Sequence, residues 1–217
     1  MIESFLNGTA AQTLPGCINW LTRFGKELDL RAESNPNPAR LLDRLLSALQ
    51  VTFLKLKLVD GLHAYKLLKQ SAPAFLRIAS AEIGLGLSPQ NIIVSDHYEL
   101  GQFMLLDSLC AMIYAIPQII QYDISDPSLL QPSFSPNEWV HGCPVILQLA
   151  LVDINSLLDR KRAGCVVDWK ALEYRLISWQ PASSQISGDN EPHKRVTYFA
   201  TQECWRHTLL IYLLMVM

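Results

Sequence analysis

The sequence predicts an all-α fold, a single multi-helix domain. Apolar residues recur at steps of three and four along most of the 217 residues, which is the spacing of helices that bury one face. Breaks that contain proline or glycine separate these runs. Half of the residues are hydrophobic and 18% are charged, so we expect a large interior. The expected organisation is a flexible N-terminal tail at 1–14 and one helical domain at 15–217.

Three helical regions are predicted in the first part of the chain. The first begins near Pro15, because proline fits the first turn of a helix, and it ends before the prolines of 34–38. The second follows this break and is interrupted at Asp60, and the third continues to a glycine cap at Gly84. The buried face of the second helix is expected to consist of Leu42, Leu45, Leu46, Leu49, Phe53 and Leu56.

The middle of the chain is less regular. Residues 92–94 are β-branched, which is typical of a short strand or of a buried connection, and the helical surroundings favour the connection. An apolar helix is expected at 103–116, where Pro117 ends or kinks it. The prolines and aspartates of 121–137 then predict a long loop.

Two buried helices, at about 144–160 and 196–217, are expected to form the centre of the domain. The first ends in a basic turn and a glycine cap at Gly164. Between the two, a helix capped by Asp168 is expected to end at Pro181, and a polar loop to follow at 183–194.

The C-terminal helix is the most apolar element of the chain. It begins amphipathic and becomes apolar on every side from Leu209, which is typical of a helix in the middle of a bundle. The ten residues of 208–217 are too few to cross a bilayer. We expect the face that begins at Trp205 to pack against the helix around Leu149 and Val152.

The same C-terminal helix carries a family resemblance. Its series Ala200-x-Gln-Glu-x-Trp-Arg-His-x-x-Leu-Ile-Tyr-Leu-x-Met resembles the signature helix of the fungal-specific transcription factor domain, the helical regulatory region of fungal binuclear zinc cluster regulators. Four earlier segments resemble the same family in the same order, so that the resemblance covers most of the chain. These segments are Leu54–His63, Ile116–Asp123, Glu138–Val145 and Asp168–Pro181.

The resemblance implies a non-catalytic domain that regulates transcription in the nucleus. The implied partners are proteins of the transcription machinery or a second copy of the chain, together with a small-molecule effector. The six-cysteine zinc cluster that binds DNA in this family does not precede the domain in this sequence, so DNA binding by this chain is not expected. Family members also continue beyond this last helix, and one interpretation is that the chain is a fragment.

Composition argues against several other functions. The formal net charge is −2 and the basic residues are scattered, so that the positive surface of a nucleic-acid-binding protein is missing. The N-terminus lacks the pattern of a secretory signal. The five cysteines contain no CxxC pair, which is typical of free thiols in a reducing compartment.

Metal and catalytic motifs are weak. Cys204 and His207 share one helix face, and His141 with Cys143 is the only other local pair, but no spacing connects the two pairs. A buried thiol and a hydrogen-bonded imidazole are therefore the preferred interpretation. No signature of a cysteine nucleophile, a serine hydrolase, a metalloprotease or a P-loop is present. We expect no catalytic, metal, cofactor or DNA-binding residues.

Other local motifs have ordinary structural interpretations. Gly84 and Gly86 lack the third glycine of a nucleotide-binding loop, and Asp123 with Asp126 is typical of turns. The basic triplet at 160–162 is a candidate for nuclear targeting or phosphate contact, although cations at the end of a helix are favoured by its dipole alone.

An effector pocket, if present, is expected between the buried helices, beside the large aromatic groups Trp139, Trp169, Trp179 and Trp205. Two rival functions remain open. One is a helical protein-interaction or small-molecule-binding module that is unrelated to transcription, and the other is an enzyme with an unrecognised helical site.

Overall fold

The structure is a computed structural model that describes residues 10–28, 37–84, 86–124, 136–181 and 192–217. Every regular element in these ranges is a helix, which confirms the predicted all-α fold. The chain divides into two compact units, Met1–Gly84 and Leu85–Met217.

The first unit contains α1 (Ala10–Glu27), α2 (Pro38–Leu58) and α3 (Gly61–Glu82). Side chains cap the last two, since Asn37 accepts a hydrogen bond from the Ala39 N–H and Asp60 accepts one from the His63 N–H. Buried residues at helical spacing join the three helices in a small core. The core contains Leu21, Val51 and Leu67, with Cys17, Phe24, Leu28, Leu58 and Val59 packed against it.

The second unit contains the remaining helices. These are α4 (Pro89–Val94), α5 (Tyr98–Tyr114), α6 (Pro136–His141), α7 (Val145–Arg162), α8 (Lys170–Ser178) and α9 (Pro192–Val216). Their main core cluster combines buried residues of α5, α7, α8 and α9: Leu105, Leu147, Ala150, Leu151, Ile154, Leu157, Leu172, Leu176, Leu209, Tyr212 and Leu213.

Several element boundaries differ from the sequence-based expectations. Helix α1 begins at Ala10 and includes Pro15, because proline removes only one hydrogen bond and the residues before it are good helix formers. The expected tail is therefore too long, and its first nine residues lie outside the described part of the chain. Helix α4 occupies the segment that was expected to be a strand or a connection.

The two loops expected at 121–137 and 183–194 each end earlier than predicted. Pro136 and Pro192 are the first residues of α6 and α9, since a proline at the first helical position needs no hydrogen-bond partner. Of the first loop, 121–124 are described without helix or strand, and 125–135 lie outside the described residues. Residues 182–191 of the second also lie outside them.

The position of α9 corrects the expectation of a central helix that is buried on every side. Leu209, Tyr212 and Leu213 are buried, but Ile211, Leu214 and Met215 are 60%, 58% and 79% exposed. The side chains of α7 in the same core cluster are those around Leu151, a cluster that does not contain Leu149 or Val152. Helix α9 therefore covers one side of the core and presents an apolar face to solvent.

Helix α5 is the most enclosed element of the second unit. Twelve of its seventeen residues are buried, and these include the polar side chains of Glu99, Gln102, Asp107 and Ser108. Helices α4, α6 and α7 all pack against it. Burial on nearly every side is typical of a helix at the centre of a core.

Candidate functional site

A cleft of about 460 Å³ lies between the end of α8 and the middle of α9. Its volume is in the range of small-molecule sites, which measure about 300–1,000 Å³. The lining combines two aromatic rings, two aliphatic groups, an amide and an ion pair. The lining residues are Ile177, Trp179, Gln180, Pro181, Phe199, Glu203 and Arg206.

The α8 wall is held in place by a cap, a core face and an ion pair. The Asp168 carboxylate accepts a hydrogen bond from the Lys170 N–H at 3.1 Å, as its predicted capping role requires. Leu172 and Leu176 are buried in the core, so that the next residue, Ile177, faces outward and is 57% exposed. Arg175 forms an ion pair with Asp153 of α7, which connects the two helices.

The chain leaves α8 in an extended conformation. Trp179 has φ −66° and ψ 137°, outside the helical region, and Pro181 follows two residues later. Trp179 also packs against the main core cluster from its half-buried position. The indole therefore has one side supported by the core while the residue lines the cleft.

The α9 wall consists of Phe199, Glu203 and Arg206, which lie four and three residues apart and so share one face of the helix. The segment around α6 holds this part of α9 in place. The Tyr198 hydroxyl donates to Glu138 Oε1 at 3.1 Å, and Trp205 Nε1 donates to the His141 carbonyl oxygen at 3.3 Å.

Gly142 allows the chain to approach α9 closely. Its φ is +61°, in the left-handed region that favours glycine, and a Cβ at this position would lie 2.8 Å from Cγ2 of Thr201. A larger residue here would push the α6 segment away from α9. The contact fixes the first half of α9, which carries Phe199 of the cleft.

The polar part of the cleft lining includes the ion pair of Glu203 and Arg206. Glu203 Oε2 accepts from Arg206 Nε at 2.9 Å and from Nη2 at 2.7 Å, in a fork-shaped arrangement. The Arg206 side chain is only 19% exposed. Among the described residues, no acceptor bonds to Nη1 of Arg206 or to the side-chain amide of Gln180.

The candidate metal ligands do not come together. Cys204 is exposed, which corrects the expected buried thiol, while Nδ1 of His207 lies 2.8 Å from the Glu203 carbonyl oxygen within the same helix. Cys143 is buried, and burial raises the pKa of its thiol well above the usual value. Within the described ranges, no group of three His, Cys, Asp or Glu side chains is arranged to hold a metal ion.

The basic triplet at the end of α7 contacts the ends of other helices. Lys161 Nζ donates to the carbonyl oxygens of Val216 and Met217, at 2.9 and 2.7 Å. Arg162 donates through Nη2 to the carbonyl oxygen of Ala115, just after α5. These cations therefore bond to carbonyl oxygens at helix C-termini, where the helix dipole favours positive charge. The helices concerned are mainly neighbours of α7 and not α7 itself.

Where the structure describes them, the other tryptophans, glycines and aspartates that the sequence singles out lie outside the cleft. Trp169 and Trp205 pack against the main core cluster, whereas the side chain of Trp139 lies outside the described residues. Gly84 has φ +93° just after α3, as a helix cap requires. Asp123 lies in the non-helical segment that follows α5, and Asp126 lies outside the described residues.

Sequence reasoning missed the polar wall of the cleft. The available signal was the spacing of Glu203 and Arg206, since opposite charges three residues apart on a helix form an ion pair. The cleft itself had no signal, because Gln180 and Arg206 are far apart in the chain.

A second missed feature is the buried carboxylate of Asp107. Its oxygens accept hydrogen bonds from the N–H groups of Ile119 and Ile120 and from the Tyr122 hydroxyl, at 2.8, 3.2 and 3.2 Å. Burial raises the pKa of Asp107 to about 6, and these three hydrogen bonds oppose the increase. The carboxylate anchors the segment after α5 and does not line the cleft described above.

A chain of buried hydrogen bonds extends from this region to α9. The Ser108 carbonyl oxygen accepts from Asn155 Nδ2 at 3.1 Å, and Asn155 Oδ1 accepts from the Tyr212 hydroxyl at 2.8 Å. These hydrogen bonds connect α5, α7 and α9 inside the core. They form a structural network, because each of its groups satisfies another buried group.

None of the helices in the described part of the chain is long and apolar enough to cross a membrane. Comparisons with protein-family models, with curated proteins and with solved structures find no match in any of the three. The resemblance to the fungal transcription factor domain therefore stays a prediction.

Proposed function

We propose that the chain is a non-catalytic regulatory domain of the fungal transcription factor type, which senses a small-molecule effector and contacts protein partners in the nucleus. The partners would be proteins of the transcription machinery or a second copy of the chain. The observation that carries the effector role is the cleft between α8 and α9, whose lining combines aromatic side chains with the Arg206 guanidinium and the Gln180 amide.

The cleft is a suitable place for regulation because its walls belong to different helices. A ligand that contacts Trp179 and Arg206 at once would connect the end of α8 to α9 and stabilise their present arrangement. The exposed face of α9, with Ile211, Leu214 and Met215, belongs to the same helix. A partner that contacts this face would then bind more tightly, or less tightly, when the cleft is occupied.

The positions of the motif segments support this proposal. Asp168–Pro181 supplies the α8 wall, and the series from Ala200 to Met215 supplies Glu203 and Arg206 on the opposite wall. The segment Glu138–Val145 holds α9 through Glu138 and His141. Two of the five segments that carry the family resemblance therefore line the cleft, and a third holds the helix that forms one of its walls.

Direct DNA binding is not part of the proposed function. The net charge of −2 does not favour a polyanion, and two of the three cations in the basic triplet contact helix ends. A gel-shift titration of the isolated chain at low salt should give no binding above that of a neutral protein. Submicromolar, strongly salt-dependent binding would contradict this part of the proposal.

A reporter experiment tests the regulatory role. The full chain is fused to an unrelated DNA-binding domain and expressed in a fungal host whose reporter gene carries the matching DNA site. We expect reporter transcription to differ at least about twofold from that of the DNA-binding domain alone. The matched control is the same fusion with Trp179→Ala and Arg206→Gln, expressed at the same level. Equal transcription from all three proteins would contradict a regulatory role.

A further inference from the structure

We propose that the ligand of the cleft is a flat aromatic carboxylate, an inference that rests on the proposed effector role and names its chemical class. The lining of the cleft has an apolar part and a polar part, which require opposite properties of one small molecule. The apolar part favours a planar hydrophobic ring system, and the polar part favours an anion.

The apolar part is formed by rings and aliphatic groups that bracket the cleft. Trp179 lines the cleft from the α8 side together with Ile177 and Pro181, and Phe199 lines it from α9. Aromatic faces prefer to stack on flat partners or to meet their edges. A volume of about 460 Å³ accommodates a fused ring pair with its substituent, but a long lipid chain would extend out of it.

The polar part of the lining has two donors that bond to no acceptor among the described residues. Arg206 uses Nε and Nη2 for Glu203, and its Nη1 has no partner among the described residues. Gln180 lies on the other wall and also has a side-chain N–H that no described residue accepts. A carboxylate between these walls would accept from both, and the hydrogen bond to the guanidinium would be charge-assisted.

Glu203 has two effects on such a ligand. Its ion pair fixes the Arg206 side chain in one geometry, so that less conformational freedom is lost when the ligand binds. Its own negative charge repels a carboxylate nearby. The two residues therefore give opposite predictions on substitution, although either substitution breaks the same ion pair.

Isothermal titration of the full chain tests the proposal, with 2-naphthoate as the probe and 2-naphthalenemethanol as its uncharged analogue. We expect 2-naphthoate to bind about tenfold more tightly or better, since a hydrogen bond to a charged group contributes about 1.5–3 kcal/mol. Arg206→Gln should remove this preference, whereas Glu203→Gln, which loses the same ion pair but keeps the cation, should retain or increase it. Equal affinity for the two probes would overturn the proposal.

Two further variants keep the test informative if Arg206→Gln lowers the thermal midpoint. Gln180→Ala changes an exposed side chain and should weaken 2-naphthoate binding severalfold without changing stability. Ile177→Trp, at a position that is 57% exposed, should fill the mouth of the cleft and block both probes. Binding that neither variant changes would locate the ligand elsewhere and would overturn the site. Failure to bind 2-naphthoate, together with an active reporter fusion, would refute the ligand class and leave the regulatory role standing.

Discussion

Helices α5 and α9 are both rich in apolar residues, but they differ in what surrounds them. Helix α5 has α4, α6 and α7 packed against it, and the segment after it folds back through the hydrogen bonds to Asp107. Helix α9 packs mainly against α7 and α8, which lie on the side of Leu209 and Leu213. Its other side, at Leu214 and Met215, is exposed.

An apolar helix surface is therefore buried only on the sides where other helices pack against it. In α5 the neighbours also enclose polar residues such as Asp107 and Ser108, and hydrogen bonds compensate for their burial. In α9 comparable apolar side chains stay in water. Exposed apolar groups that lie together commonly mark an interaction surface, which agrees with the partner contact proposed for this helix.

The largest expected effect is at the centre of α5. Phe103 is fully buried, so Phe103→Ala should lower the free energy of unfolding by about 3–5 kcal/mol. Urea unfolding followed by far-ultraviolet dichroism measures the change. Met215→Ala, on the exposed side of α9, is the matched control and should change stability by less than about 0.5 kcal/mol. If Phe103→Ala behaved like this control, α5 would not be the central helix of its unit.

Neighbouring leucines divide α9 into its buried and exposed sides. Leu213 is fully buried, and Leu213→Ala should cost about 2–5 kcal/mol, whereas Leu214→Ala should cost less than about 0.5 kcal/mol. Thermal and urea unfolding of the two variants measure the difference. An equal and large cost at both positions would mean that the outer side of α9 is covered in solution, by another chain or by another part of this one.

The buried carboxylate of Asp107 in α5 gives a pH-dependent contribution to stability. Because the folded-state pKa of Asp107, about 6, is above the unfolded value, the folded state binds this proton more tightly. The contribution of Asp107 to stability should therefore fall as the pH rises from about 4 to 6, by at most roughly 3 kcal/mol for a difference of about two pKa units.

The variant Asp107→Asn isolates this contribution. Asn cannot titrate, so the stability difference between parent and variant should change across pH 4–6 in the direction given above. Urea unfolding at several pH values measures this difference. The variant also places an amide N–H near the donor groups of Ile120 and Tyr122, which has a cost in stability. Because this cost is the same at every pH, it does not affect the pH dependence of the difference. A difference that does not vary with pH would show that Asp107 ionises in the folded protein as it does in water, and a difference that rises with pH would show a folded-state pKa below the unfolded value. Either result would contradict the prediction.

Local patterns predicted much of the secondary structure. The caps at Asp168 and Gly164 are confirmed because each depends on residues close together in the chain. The predicted buried stripe of α2 is confirmed only at Leu45 and Leu49. The other buried residues of this helix are Ala48, Val51, Thr52 and Lys55, so its buried face lies to one side of the leucine stripe. The errors at Pro15 and Pro192 have the same physical origin: proline is tolerated in the first turns of a helix, so its position bounds a helix start only loosely.

The all-α class and the apolar character of α9 could be predicted from the sequence, because helical periodicity and side-chain hydrophobicity are local properties. The enclosure of α5 and the exposure of Leu214 could not, since burial depends on helices that are distant in sequence. Tertiary packing also places Trp179 and Gln180 in the same cleft as Arg206. A cleft forms between two segments of the chain, so the residue pattern of either segment alone does not predict it.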